Sequence, residues 1–192
     1  IWDNPLLSNK YVGDYLESRR MLFNIAPSFE ILKGLTYKLN YGYENVSSDR
    51  NQQTIANSER NDLGDLTQTF GKYENTLIEN YLTYNFDIGE HHLNILGGYS
   101  YQKTFYTESQ WSIDEFPADT RIEPRYNPGL GGDTNITDHR PSGRTSEDEL
   151  QSFFGRVNYS FKDKYFLDAT VRSDGSSKFG GDNKYGVFPS FA

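Results

Sequence analysis

Along six stretches of the chain, apolar and polar residues alternate one by one. The clearest sets Phe153, Gly155, Val157, Tyr159 and Phe161 against Ser152, Phe154, Arg156, Asn158 and Ser160. Successive side chains of a strand point to opposite faces of its sheet, so a period of two predicts β-strands with one apolar and one polar face. The first strand is expected from about Glu17 to Ile31, with Met21, Phe23, Ile25, Pro27, Phe29 and Ile31 on the apolar face. After a tight turn at Leu32-Lys33-Gly34, the second sets Leu35, Tyr37, Leu39, Tyr41 and Tyr43 opposite Thr36, Lys38, Asn40, Gly42 and Glu44. The third, about Gly71 to Phe86, opposes Ile78, Leu82, Tyr84 and Phe86 to Glu79, Tyr81, Thr83 and Asn85. The fourth opposes Leu93, Ile95, Gly97, Tyr99 and Tyr101 to Asn94, Leu96, Gly98, Ser100 and Gln102. The fifth is the stretch quoted first. The sixth opposes Tyr165, Leu167, Ala169 and Val171 to Phe166, Asp168, Thr170 and Arg172, and a seventh starts near Lys184.

Short turns alternate with long polar connections at about Asn45–Phe70 and Thr107–Glu149, and with a shorter glycine-rich one from Ser173 to about Asn183. In an antiparallel sheet that rhythm puts every long connection at one end, as in an outer-membrane barrel wall. The expected strands exceed the usual length of roughly 5–6 residues and suffice for the roughly 9–11 of a tilted membrane strand. The fold class is therefore all-β: an antiparallel transmembrane β-barrel segment of about seven strands. A bilayer does not tolerate open strand edges, so the segment is expected to belong to a larger barrel. The alternative is a soluble β-sandwich, for instance a carbohydrate-binding module, whose strands also alternate.

Composition is compatible with the barrel. The chain is only 35% hydrophobic but 16% aromatic, with 15 Tyr and 13 Phe. Its mean hydropathy is −0.78, and the hydropathy signal of a barrel strand is weak because half its residues face water. The net charge of −8 is local: residues 107–149 hold ten acidic and four basic side chains, and residues 46–70 hold four and two. Acidic stretches of this kind repel nucleic acid, and no basic patch with interleaved aromatics offsets them. With no cysteine there is no disulfide, thiolate metal site or cysteine nucleophile. The first residues, Ile1-Trp2-Asp3-Asn4-Pro5, have neither the basic nor the apolar region of a signal peptide.

The last forty residues carry a specific pattern. Phe153-Phe154-Gly155-Arg156-Val157-Asn158-Tyr159-Ser160-Phe161 and Lys164-Tyr165 precede Arg172-Ser173-Asp174-Gly175-Ser176-Ser177-Lys178-Phe179-Gly180, then Gly186-Val187-Phe188-Pro189-Ser190. This string closely resembles the SusC/RagA family of TonB-dependent outer-membrane transporters. The resemblance implies a 22-stranded barrel with a plug domain, a segment contacted by TonB and a SusD-like lipoprotein lid. It also implies energised uptake of oligosaccharides or peptides. On that expectation residues 1–192 are part of one barrel domain in the outer membrane, without plug, signal peptide or C-terminal strands. A TonB-dependent receptor for a metal chelate is the related alternative.

Candidate chemistry is sparse. No H-E-x-x-H, G-x-S-x-G or P-loop spacing occurs. His91 and His92 sit at an expected short turn, where adjacent residues point apart and do not share a metal easily, and His139 falls in the second long loop. No enzyme activity, cofactor or metal is expected. Trp111, Phe116 and Tyr126, in an expected extracellular loop, are the candidates for contact with substrate or partner, because aromatic faces stack on sugars or pack against a lid. Arg172, Asp174, Gly175, Ser176, Ser177, Phe179 and Gly180 are assigned to a structural motif loop. Lys38, Glu79, Arg156, Asp168 and Arg172 are expected on the polar face, where charge ladders or plug contacts form. Outer-membrane lipid should cover the other face.

Overall fold

The computed structural model describes residues 12–54, 64–116, 140–180 and 184–192. Eight strands form: β1 (Val12–Ile25), β2 (Ser28–Leu32), β3 (Leu35–Thr54), β4 (Gly64–Ile88), β5 (His91–Phe116), β6 (Ser142–Phe161), β7 (Tyr165–Ser176) and β8 (Tyr185–Phe191). All belong to one sheet in the order β1-β3-β4-β5-β6-β7-β8, with β2 also paired to β3. The described strands all lie in this one sheet rather than in the two packed sheets of the sandwich alternative. Among the described residues the sheet does not close on itself.

The strand count rises from seven to eight because the expected first strand breaks at Ala26-Pro27. Proline lacks the N–H that a ladder needs and is confined to edges and bulges. Its carbonyl still accepts from Leu39 N at 3.1 Å, so both halves stay on β3. Two expected long loops also shrink. β3 continues to Thr54, β4 begins at Gly64, β5 runs to Phe116 and β6 begins at Ser142. These stretches are polar on both faces, so alternation of hydropathy does not reveal them; pairing with a neighbouring strand makes them β.

The chain divides into two compact units. The first comprises Ile1–Arg20, Val46–Tyr73 and Tyr106–Ser146. Its strand segments are tied by side-chain hydrogen bonds and ion pairs rather than by a large core. Thr67 and Ser112 hydroxyls lie 2.8 Å apart, Gln68 donates to Asn51, and Arg50 makes a two-toothed pair with Asp14 at 3.0 and 2.6 Å. Leu66, with no exposed surface, is the single buried apolar side chain among the described residues.

The second unit comprises Met21–Asn45, Glu74–Phe105 and Glu147–Ala192. It holds the tight turns. Gly34 has φ +82°, and a Cβ there would overlap the Asn85 carbonyl oxygen, so only glycine fits. Lys162 and Asp163, in the three-residue connection between β6 and β7, both have positive φ, the left-handed backbone that the two central residues of a primed turn adopt. Lys164 N closes that turn on Phe161 O at 3.1 Å.

Candidate functional site: the two faces of the sheet

In the second unit the alternation expected from sequence places most apolar side chains on one face and most polar ones on the other, with Leu22, Phe166 and Phe188 as apolar exceptions on the polar face. The apolar face leaves large side chains uncovered: Met21, Phe23 and Ile25 on β1, Leu82 and Tyr84 on β4, Ile95 on β5, Phe153 and Val157 on β6, and Leu167 and Val171 on β7 are all exposed. Soluble domains bury most such side chains, and a row of them left exposed marks a surface that contacts a partner or a membrane. Rings bracket it at both ends. Tyr84–Phe86, His91–Phe161 and Phe161–Tyr165 have centroids 5.1, 4.6 and 6.3 Å apart on the side of the tight turns. Tyr99 and Phe153 pack at 5.1 Å on the other side, where Tyr185 Oη donates to Gln151 at 2.6 Å and Gln151 donates to Tyr99 at 3.2 Å. From Gln151 to Phe161 a strand tilted by about 40° rises roughly 25 Å, the height of a barrel's apolar band. Asn80 lies on this face and is satisfied by Tyr37 Oη, which donates at 2.6 Å.

The opposite face is a polar ladder. Asn24 donates to Asn40 at 3.1 Å, and Asn40 to Glu79 at 2.8 Å. Asn158 donates to Asp168, and Arg156 to the Thr170 hydroxyl at 3.4 Å. A concavity of about 550 Å³ is lined in part by Lys38, Asn40, Glu79 and Tyr81. The charges expected on one face are therefore together there, but neutral amides and hydroxyls connect them more than ion pairs do.

A cluster the sequence did not signal crosses β4 to β7 on this face. The Phe154 ring lies over Gly98 and reaches Tyr81, with centroids 5.6 Å apart. The Arg172 guanidinium sits 5.7 Å from the same ring on its other side. Arg172 also donates through Nε to both Asp174 oxygens, at 2.7 and 2.9 Å, and through Nη2 to Ser152 Oγ at 3.2 Å. Glycine under an aromatic lets the ring replace the missing side chain, a device that fixes register.

The motif residues acquire roles here. Arg172 ends the expected sixth strand as read, but Ser173 to Ser176, expected as loop, continue β7, because β6 pairs with all of them and β8 with Ser173 to Gly175. Arg172 faces Phe188, Asp174 faces Gly186 and Gly175 faces Tyr185, so the two halves of the string lie opposite each other. At Gly175 a Cβ would sit 2.5 Å from the Tyr185 ring, so any larger residue must push that ring aside. Ser176 Oγ accepts from Lys178 N at 3.2 Å; Ser177 bonds Glu149 with both its N–H and its hydroxyl, each at 2.9 Å. Phe179 N donates to Ser176 O at 3.2 Å, while Gly180 has open space around it. The turn is held outside by Lys178–Asp148 at 3.1 Å.

Trp111 and Phe116 belong to β5 rather than to a loop, and Trp111 is half-buried. The polar stretch around them pairs as strand for the reason given above. Tyr126 and His139 lie outside the described residues. His91 and His92 point to opposite faces as expected: His91 Nδ1 is 2.6 Å from Tyr159 Oη, and His92 Nδ1 is 2.6 Å from Asp87. Among the described residues no group of His, Asp and Glu is placed to hold a metal. In the first unit Arg144 stands 5.2 Å over the Tyr106 ring and 3.5 Å from Glu108.

No protein-family model matches the chain. TonB-dependent receptor P3 of Formosa agariphila is 35% identical over 192 residues, covering 99% of this chain and 19% of that protein. The TonB-dependent receptor SusC of Bacteroides thetaiotaomicron is 54% identical over 43 residues, 22% of this chain and 4% of that one. The solved RagAB peptide transporter superposes with a TM-score of 0.82 at 26% identity, covering 96% of this chain and 20% of that one. The chain thus spans about a fifth of the length of the full-length relatives. Two polar-and-apolar faces, the paired motif hairpin and these likenesses agree that the chain belongs to the SusC/RagA-type TonB-dependent receptors, as a segment of the β-barrel.

Proposed function

We propose that the chain forms part of the outer-membrane wall of a TonB-dependent importer, which takes up oligosaccharides or peptides together with a SusD-like surface lipoprotein. The carrying observation is the exposed apolar face between two rows of rings, which needs lipid to cover it. The polar ladder then faces the lumen, the tight turns the periplasm and the long connections the outside. The likeness to a peptide transporter and to SusC supports active uptake over catalysis. Trp111, Phe116 and Tyr126 are assigned to contact with substrate or lipoprotein at the outer end.

The full-length protein should fractionate with the outer membrane and require detergent for extraction. A tag on it should capture a surface lipoprotein. Deleting its gene should abolish uptake of some member of a labelled glycan and peptide panel, and deleting TonB should do the same. A water-soluble product, or uptake indifferent to TonB, overturns the proposal. Trp111→Ala should weaken uptake or lipoprotein capture without reducing the amount of folded barrel.

A further inference from the structure

We infer that the short-turn end of β5, β6 and β7 carries a binding site for the phosphate of a membrane glycerophospholipid. The inference rests on the wall reading above. Three rings, His91, Phe161 and Tyr165, stand nearly parallel across three successive strands, with interplanar angles of 26° and 21°. They lie on the apolar face at its border with water. Two ammonium groups stand beside this row: Lys162 Nζ is 5.3 Å from the Phe161 centroid and Lys164 Nζ is 5.7 Å from that of Tyr165.

The arrangement fits a lipid rather than a free anion, because the rings offer a flat apolar surface to acyl chains while the ammonium groups offer charge to the phosphate. The acidic neighbours do not neutralise it. Lys162 meets Glu90 at 3.3 Å, but both are more than half exposed, and such a pair is easily exchanged. Asp163, between the two lysines in sequence, lies 4.0 Å from His92 Nε2, on the polar face. Among the described residues no carboxylate pairs with Lys164. His91 Nδ1 is 2.6 Å from Tyr159 Oη, which fixes the ring in the row.

The test uses the full-length transporter in nanodiscs of mixed phosphatidylcholine and phosphatidylglycerol, with retained lipid counted by native mass spectrometry. Lys162→Ala with Lys164→Ala should lower retained phosphatidylglycerol by roughly thirtyfold, the worth of two basic side chains at an anionic surface. Lys33→Ala, in the β2–β3 turn, should leave it unchanged, and inorganic phosphate should not displace the lipid. Equal retention by the double variant and the unaltered protein overturns the inference, as does displacement by inorganic phosphate. A protein that enters no nanodisc at all refutes the wall reading instead.

Discussion

Gly97 and Gly98 are adjacent glycines on opposite faces of β5, and alanine at each should act with opposite sign. At Gly97 nothing lies within 4 Å of the Cβ position. Alanine there only removes backbone freedom from the unfolded chain and should stabilise by about 0.5–1 kcal/mol. At Gly98 the new methyl overlaps the Phe154 ring tip and comes within 3.0 Å of Asn80 O. The ring must swing away, so it loses Tyr81, at 5.6 Å, and the Arg172 guanidinium, at 5.7 Å. The first contact contributes about 0.5–1.5 kcal/mol and the second about 0.5–1. An off-rotamer ring adds about 0.5–1.5. Against the backbone gain, Gly98→Ala should destabilise by about 1–3 kcal/mol. The cost stays moderate because the atoms that overlap outright belong to the far end of a side chain, while the Asn80 backbone oxygen at 3.0 Å is only a tight contact.

Unfolding midpoints of the full-length barrel in urea, followed by tryptophan fluorescence and by heat-modifiability on gels, measure both variants. Phe154→Leu should remove most of the difference between Gly98→Ala and its parent, because the overlapping ring is gone. If Gly98→Ala is as stabilising as Gly97→Ala, the ring over the glycine has no energetic role and the reasoning fails.

Gly34→Ala should be the more severe change, since it combines left-handed backbone at φ +82° with overlap onto a backbone oxygen; a loss of about 2–3 kcal/mol or failure to assemble is expected in the same assay. Tyr37→Phe strips Asn80 of its 2.6 Å partner on the apolar face, which should cost about 1–2 kcal/mol in lipid; a neutral result would argue that water reaches that face. His92, at the tight turn beyond the apolar band, is raised above the ordinary imidazole value by its hydrogen bond to Asp87 and, less strongly, by the charges of Asp87 and Asp163. Its contribution to stability is therefore present below the ordinary value and is lost as pH rises through the higher folded one. An NMR titration of the His92 ring should show a midpoint that falls in Asp87→Asn; an unmoved midpoint refutes the pairing.

By itself the sequence determined which residues share a face. A period of two survives folding because the pleat enforces it, so Lys38, Glu79, Arg156, Asp168 and Arg172 share the polar face as expected. The motif string was equally legible, because Arg172, Asp174, Gly175 and the Gly186–Ser190 run sit opposite one another in a single hairpin. Only the tertiary structure decided how far the strands run. Around Thr54, Gly64, Phe116 and Ser142 both faces are polar, so the strand state comes from cross-strand partners such as Thr67 with Ser112, which no local pattern encodes. It also decided that Pro27 splits the first strand and that Phe154 leans over Gly98 onto Tyr81. Those depend on which strand lies beside which, and on side-chain lengths across three neighbours, quantities that adjacency along the chain leaves open.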